Sequence, residues 1–170
     1  MVRKDKTKEN KSNKTSSTDK PNKAKTDIKP DTAKDEAQDN FIVLIKAQTN
    51  KISPKSEGTI GFELVKDEKA ILYLRLTSNS SSGNFCKTPV ALISVIDALN
   101  KHKADTAFTS KVIKDVFKGK GSRNANNRSF LMAALRSKEI GLTVADKDKP
   151  MSSKLSAAFK AQSDKLLGMS

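Results

Sequence analysis

Two neighbouring runs of alternating apolar residues constrain the fold of this chain more than any other feature. Residues 59–65 and residues 70–77 each carry an apolar side chain at every second position, as a half-buried strand does. These positions are Ile60, Phe62 and Leu64 in the first run and Leu72, Leu74 and Leu76 in the second. The link between the runs, 66–69, is short and polar, which predicts an antiparallel β-hairpin.

Two further segments extend this β element. Residues 41–45 form a short β-branched run of strand length. Residues 84–87 follow a turn rich in Ser, Asn and Gly and are a candidate fourth strand. The sequence therefore predicts that 41–87 is mainly β, with three to four antiparallel strands.

The rest of the chain, 88–170, has mainly helical patterns. Thr88 followed by Pro89 has the form of a helix cap with proline at the first helical position, which predicts a helix over 90–101. The later predicted elements are a helix from Thr109 or Ser110 to Gly119, a helix from Ser122 to Ile140 closed by Gly141, a short strand at 142–144 and a helix from Ser153. We therefore predict an α+β fold, in which the antiparallel β element packs with about four helices.

Composition divides the chain near residue 40. Residues 1–40 hold eleven Lys and Arg against eight acidic residues, and they contain no aromatic residue. Such a segment cannot bury enough apolar surface to offset the entropy lost on ordering, so we predict a disordered Lys-rich tail. Residues 41–170 are then expected to form a single domain.

Cysteine content and hydropathy indicate the compartment. Cys86 is the only cysteine, which excludes an intramolecular disulfide and fits a reducing environment. The N-terminal residues lack the apolar run of a signal peptide, and no segment is apolar over the length of a membrane span. We expect a protein that is cytoplasmic (nucleoid-associated) or nuclear, is not secreted and does not bind a membrane.

Positive charge is concentrated between Lys101 and Lys138. This segment holds ten Lys and Arg against two acidic residues, Asp105 and Asp115. So high a charge density on a folded helix pair predicts a polyanionic partner, and nucleic acid is the first expectation.

Within the basic segment, Gly119-Lys120-Gly121 has the length and composition of the turn in a helix-turn-helix motif. One face of the following helix would lie in a DNA groove. This face consists of Arg123, Asn126, Ser129, Ala133 and Arg136. Arg and Asn can bond to guanine and adenine edges, and small residues allow close approach. Because of this face, duplex DNA is favoured over RNA. The segment from about 90 to 145 also resembles winged helix-turn-helix domains.

Other basic residues of the segment are predicted to hold phosphates and so to position the domain without recognising sequence. They are Lys111, Lys114, Lys118 and Lys120, and Arg128 and Lys138 complete the predicted contact set. An alternative stays open, because Asn is a poor helix former and 124–127 is Asn-rich. In that case 119–128 would be a flexible basic loop that clamps the phosphate backbone.

A second candidate surface lies on the strand face opposite Leu72, where Tyr73 and Arg75 are neighbours. Aromatic and guanidinium groups on an open sheet face are suited to stacking on unpaired bases, which predicts single-stranded DNA or RNA as an alternative ligand. Four strands followed by a helix are also similar to the ββββα platform of single-strand-binding proteins such as the Whirly family. The structural alternative is that Tyr73 packs beneath the C-terminal helix.

Catalysis is disfavoured by the sequence. His102 is the only histidine and lies between two lysines, and the acidic residues of 41–170 are scattered. Gly119 to Ser122 lacks the spacing of a phosphate-binding Walker loop. We therefore expect a protein with no catalytic residues, no cofactor and no metal. A third hypothesis is a protein-interaction adaptor that docks through small residues around Ser129 and Ala133, and a homodimer or protein partner stays open.

Overall fold

The computed structural model describes residues 40–81, 84–117 and 125–170. Its strands are β1 (Ile42–Asn50), β2 (Thr59–Lys66), β3 (Leu72–Asn79), β4 (Val90–Ala91), β5 (Thr143–Ala145) and β6 (Ser153–Leu155). Its helices are α1 (Leu92–Asn100), a 3₁₀ helix (Ser110–Val116), α2 (Ala125–Arg136) and α3 (Phe159–Leu167). The predicted tail, except for Asn40, lies outside the described residues.

The predicted hairpin is confirmed. β2 and β3 are antiparallel, and Leu64 pairs with Leu74. The turn between them is closed by Asp67, whose Oδ1 accepts hydrogen bonds from the backbone N–H groups of Lys69 at 3.0 Å and Ile71 at 2.8 Å. Ala70 takes a left-handed conformation, with φ of 62°, to complete this turn.

The main sheet has four antiparallel strands in the order β1-β2-β3-β4, so the α+β class is confirmed. β1 is longer than the predicted strand and contains a bulge between Val43 and Ile45. The fourth strand is Val90–Ala91, and the prediction of a strand at 84–87 is wrong. Because Val90 and Ala91 pair with β3, α1 begins only at Leu92 and Thr88 does not cap it.

One face of the sheet packs against α1 and α2. The core cluster takes from the sheet the apolar positions that the alternation predicted, which are Ile60, Phe62, Leu64, Leu72, Leu74 and Leu76. The helices add to it the buried positions Leu92, Val95, Ile96, Leu99, Leu131 and Leu135. We call the opposite face of the sheet the outer face.

α2 is the central helix of the described domain. It packs against β1, β2, the 3₁₀ helix and β5. Its residues from Phe130 to Leu135 are only 0–9 % exposed, so the helix is surrounded on all sides. α2 ends at Arg136, before the predicted end at Ile140, and Gly141 takes the positive φ of 61° in the turn that follows.

Residues after the central helix form a second, two-stranded sheet. β5 and β6 are antiparallel, and Phe108 exchanges two backbone hydrogen bonds with Ser153, at 2.8 and 2.7 Å. These bonds hold 153–155 extended, so the prediction that a helix begins at Ser153 is wrong and α3 begins at Phe159. No helix in the described part of the chain combines the length and apolar character that a membrane crossing requires.

Candidate nucleic-acid interface

Arg136 at the end of α2 is engaged within the protein. Its Nε donates to Ser153 Oγ at 3.0 Å, its Nη1 to Pro150 O at 2.9 Å and its Nη2 to Ser152 O at 2.7 Å. Burial lowers the pKa of this guanidinium, although the group stays charged. The role of Arg136 is therefore to tie 150–153 to α2.

The prediction that this helix presents an outward face is wrong for the central part of that face. Ala133 is only 1 % exposed, and Ser129 is half-buried. The physical reason is that six successive residues of α2 fill the core, which leaves no continuous stripe for a groove. The same burial removes Ala133 from the small-residue surface that the adaptor hypothesis uses.

The first turn of α2 exposes the side chain of Asn126. Ala125 to Asn127 are helical, which resolves part of the helix-or-loop alternative. Asn126 is exposed, whereas Asn127 is 1 % exposed and its Oδ1 accepts a hydrogen bond from Cys86 N at 3.0 Å. Arg128 is half-buried, and its Nε has no hydrogen-bond partner in the described structure.

The predicted turn of the helix-turn-helix lies outside the described residues. Lys118, Lys120 and Arg123 belong to the same undescribed segment, 118–124, so their predicted roles stay predictions. The element before it is a 3₁₀ helix with a non-helical break at Ile113, in place of the predicted α-helix. The helix-turn-helix pairing is therefore not confirmed.

The remaining predicted phosphate contacts are exposed but dispersed. Lys111 and Lys114 lie on the 3₁₀ helix, and both are exposed. Lys138 lies after the other end of α2, and its side chain is 92 % exposed. These lysines therefore lie on different parts of the described structure.

The outer face of the sheet carries a different group of side chains. The rings of Phe41 and Tyr73 meet edge to face, with centroids 5.5 Å apart and an interplanar angle of 62°. The guanidinium carbon of Arg75 lies 5.7 Å from the centroid of the Phe41 ring. We call Phe41, Tyr73 and Arg75 the outer-face cluster. It is aromatic and cationic, and all three side chains are half-buried.

Acidic groups beside the outer-face cluster are already paired. Glu63 is 5 % exposed, and its Oε2 accepts from Arg75 Nε at 2.8 Å. Lys46 Nζ lies 3.5 Å from the other carboxylate oxygen of Glu63. The Tyr73 hydroxyl donates to Asp67 Oδ2 at 3.2 Å. Desolvation, this hydrogen bond and the negative charge of Asp67 all raise the pKa of Tyr73, so its hydroxyl stays protonated at neutral pH.

Sequence reasoning placed Tyr73 and Arg75 on one face but did not identify Phe41 as their neighbour. The pairing of Val43 with Val65, and of Val65 with Tyr73, places the start of the edge strand β1 level with Tyr73 across β2. The prediction that the C-terminal helix covers Tyr73 is not supported, because α3 packs against α1 whereas the Tyr73 ring packs on Phe41.

A groove of about 290 Å³ opens at the β4 edge of the sheet. Most of the groups that line it are apolar, and they include Tyr73, Cys86, Pro89, Val90, Val116 and Phe117. Tyr73 therefore belongs both to the outer-face cluster and to the wall of this groove. We call it the β4 groove.

His102 packs on Phe108, with ring centroids 5.1 Å apart. Among the described residues there is no group of three or more His, Cys, Asp or Glu side chains that could hold a metal ion. Comparison with protein-family models, with curated proteins and with solved structures gives no match for this chain.

Proposed function

We propose that this protein binds single-stranded nucleic acid, DNA or RNA, on the outer face of its sheet and catalyses no reaction. The observation that carries the proposal is the outer-face cluster, in which two aromatic rings and a guanidinium lie together on the face opposite the core. Unpaired bases commonly stack on aromatic rings and on Arg planes displayed by a sheet.

Charge supports an anionic ligand. The chain has a formal net charge of +14, and residues 41–170 contribute most of it. Lys46 lies on the edge strand β1 beside the cluster, and its side chain is 77 % exposed. Glu63 is paired with Arg75, which reduces its repulsion of a phosphate backbone.

The burial of α2 favours single strands over duplex DNA as the ligand. A helix that lies in a major groove needs an open face toward the DNA. In α2, residues Phe130 to Leu135 are 0–9 % exposed, and Arg136 is bonded to the segment before β6. Stacking on the outer face requires no such helix.

Fluorescence anisotropy with the full chain tests the proposal. The labelled ligands are a short oligothymidine, an RNA of the same length and a matched duplex, each across a salt series. Phe41→Leu and Tyr73→Leu keep an apolar side chain but remove the ring, so each is expected to weaken single-strand binding by about 1–3 kcal/mol, roughly 5- to 150-fold. Tyr73→Phe keeps the ring and should bind like the wild type.

The matched control for the ring substitutions is Met151→Ala, because Met151 is an exposed apolar residue outside the cluster. Circular dichroism should show that all variants are folded. The proposal fails if the chain binds no single strand at low salt, or if the two ring substitutions leave the affinity unchanged.

A pair of lysine variants tests the phosphate contact. Lys46→Ala should weaken binding and reduce the salt slope by about one unit. Lys160→Ala removes another well-exposed lysine, from α3, and should change neither quantity. Equal effects of the two substitutions would indicate attraction by the net charge alone and would contradict a contact at the outer face.

A further inference from the structure

The β4 groove continues the surface on which we propose that a strand binds. Tyr73 forms part of its wall, and the Tyr73 ring also meets the Phe41 ring at a centroid distance of 5.5 Å. A strand that stacks one base on the outer-face cluster would therefore place a neighbouring nucleotide at the mouth of the groove.

The size and lining of the groove fit a single ring system. Its volume is about 290 Å³, near the lower limit of the roughly 300–1,000 Å³ that is typical of small-molecule sites. Most of its wall is apolar, and Thr88 and Ser94 add two hydroxyl groups at exposed positions. An apolar slot with a few hydrogen-bonding groups suits the faces and the edge of a nucleobase.

The backbone and charge near the groove are also complementary to a nucleotide. β4 is an edge strand, so part of its backbone polar groups faces away from β3 and can bond to a base edge. Lys87 follows Cys86 in sequence and Lys114 precedes Val116 by two residues, and both lysines are exposed. Each lysine is thus a sequence neighbour of a residue that lines the groove, and each can supply positive charge to the phosphates of a bound strand.

We infer that the β4 groove takes one base turned out of the bound strand, next to the base stacked on the outer-face cluster. This inference rests on the proposed function, because the strand must first bind to the outer face. The β4 groove would then be a pocket for an individual base, next to an outer-face cluster on which any base can stack.

Cys86 makes the inference testable. It is the only cysteine of the chain, it is half-buried, and it lines the groove. The rate of its alkylation by iodoacetamide is measured in the full chain, alone and with oligothymidine. At a ligand concentration about 100 times Kd, about one hundredth of the protein is free, so a base in the groove should slow alkylation by up to about 100-fold.

An abasic oligonucleotide of equal length tests whether a base or the sugar-phosphate backbone covers Cys86. It is added at the same multiple of its own Kd. It should leave the alkylation rate close to that of the free protein. Equal protection by the abasic strand would show that the backbone covers Cys86 and would overturn the inference. If oligothymidine binds but does not slow alkylation, the groove inference fails and the proposed function stands. If no oligonucleotide binds, both the groove inference and the proposed function fail.

A groove-filling variant provides an independent test. Ser94 is exposed on the first turn of α1, so Ser94→Leu fills the groove from its rim with little risk to folding. It should weaken oligothymidine binding several-fold and abolish the protection of Cys86 by the remaining bound strand. Asn100→Leu adds the same side chain at the exposed end of α1 and should change neither measurement. Unchanged affinity and protection in Ser94→Leu would contradict the inference.

Discussion

Arg75 and Glu63 form a partly buried ion pair on the outer face of the sheet, in which Nε and Nη2 of the guanidinium both lie 2.8 Å from the same carboxylate oxygen. The side chain of Glu63 is 7 % exposed and that of Arg75 is 28 % exposed. The pair neutralises a carboxylate that the sheet has removed from water. It also fixes the guanidinium over the Phe41 ring, so the ion pair orients one component of the proposed stacking surface.

Removing one partner of this pair should be more destabilising than removing both. Arg75→Met leaves Glu63 with Lys46 as its remaining charged partner, and we expect a loss of about 1–3 kcal/mol in the free energy of unfolding. The double variant Glu63→Leu with Arg75→Met leaves no unpaired buried charge, because Lys46 is exposed, and it should cost less than Arg75→Met alone. Urea denaturation of the two single variants and the double variant measures the coupling. Additive losses would show that the pair does not act as a unit.

Arg136 should contribute to stability and not to nucleic-acid binding. Arg136→Lys cannot reproduce three hydrogen bonds from a planar group, so we expect a loss of about 1–3 kcal/mol in unfolding free energy with no change in affinity for single strands. Lys138→Ala, at a side chain that is 92 % exposed, should change stability by less than about 0.5 kcal/mol. If Arg136→Lys lowered the affinity and left the urea midpoint unchanged, the prediction would be wrong.

Two adjacent asparagines should differ sharply in their effect on stability. Asn127→Ala removes the acceptor of the Cys86 backbone N–H, and we expect a cost of about 1–3 kcal/mol together with faster hydrogen exchange at that amide. Asn126 is exposed, so Asn126→Ala should change stability by about 0.5 kcal/mol or less. Native-state hydrogen exchange and urea denaturation check both expectations. Slow exchange at Cys86 in Asn127→Ala would mean that another group satisfies this amide.

Asp146 should make stability depend on pH in the acid range. The backbone N–H of Asp148 donates to its Oδ1 at 2.9 Å, and this bond, aided by Lys149 N at 3.2 Å and by Lys154, lowers the pKa of Asp146 below its usual value despite partial desolvation. Because the folded-state pKa is the lower one, the contribution to stability is complete above about pH 4 and is lost as pH falls through the folded-state pKa.

Urea midpoints measured between neutral pH and acid pH test the role of Asp146. The wild type should lose stability more steeply below about pH 4 than Asp146→Asn does. Asp164→Asn is the control for the loss of one carboxylate, because the Asp164 side chain is 64 % exposed on α3. Identical slopes for the wild type and Asp146→Asn would contradict the assignment.

The accuracy of the sequence predictions depended on whether the deciding interactions were local. The hairpin was predictable because alternation and a short polar link act within about twenty residues of chain. The strand β6 could not be predicted, because Ser153 is held extended by Phe108 and Arg136, which are distant in sequence. Likewise, Val90 and Ala91 match a helix start by pattern, yet they pair with β3 and complete the sheet.

The candidate site divides in the same way. Alternation alone placed Tyr73 and Arg75 on the face away from the core. Their contact with Phe41 depends on the register of three strands, and register is set by which side chains the core accepts. The β4 groove combines Tyr73 from the sheet with Phe117 from beyond the 3₁₀ helix, so no single segment contains its pattern.

The sequence by itself determined the antiparallel hairpin, the α+β class and the excess of positive charge, because each depends on residue type and on spacing along the chain. Only the tertiary structure decided that α2 is a buried central helix and that Arg136 bonds within the protein. A helix with apolar residues and alanine on most sides can lie at the surface or in the centre, and the choice depends on how many elements are available to cover it. Here the sheet, the 3₁₀ helix and β5 surround α2, and they leave the outer face of the sheet as the proposed binding surface.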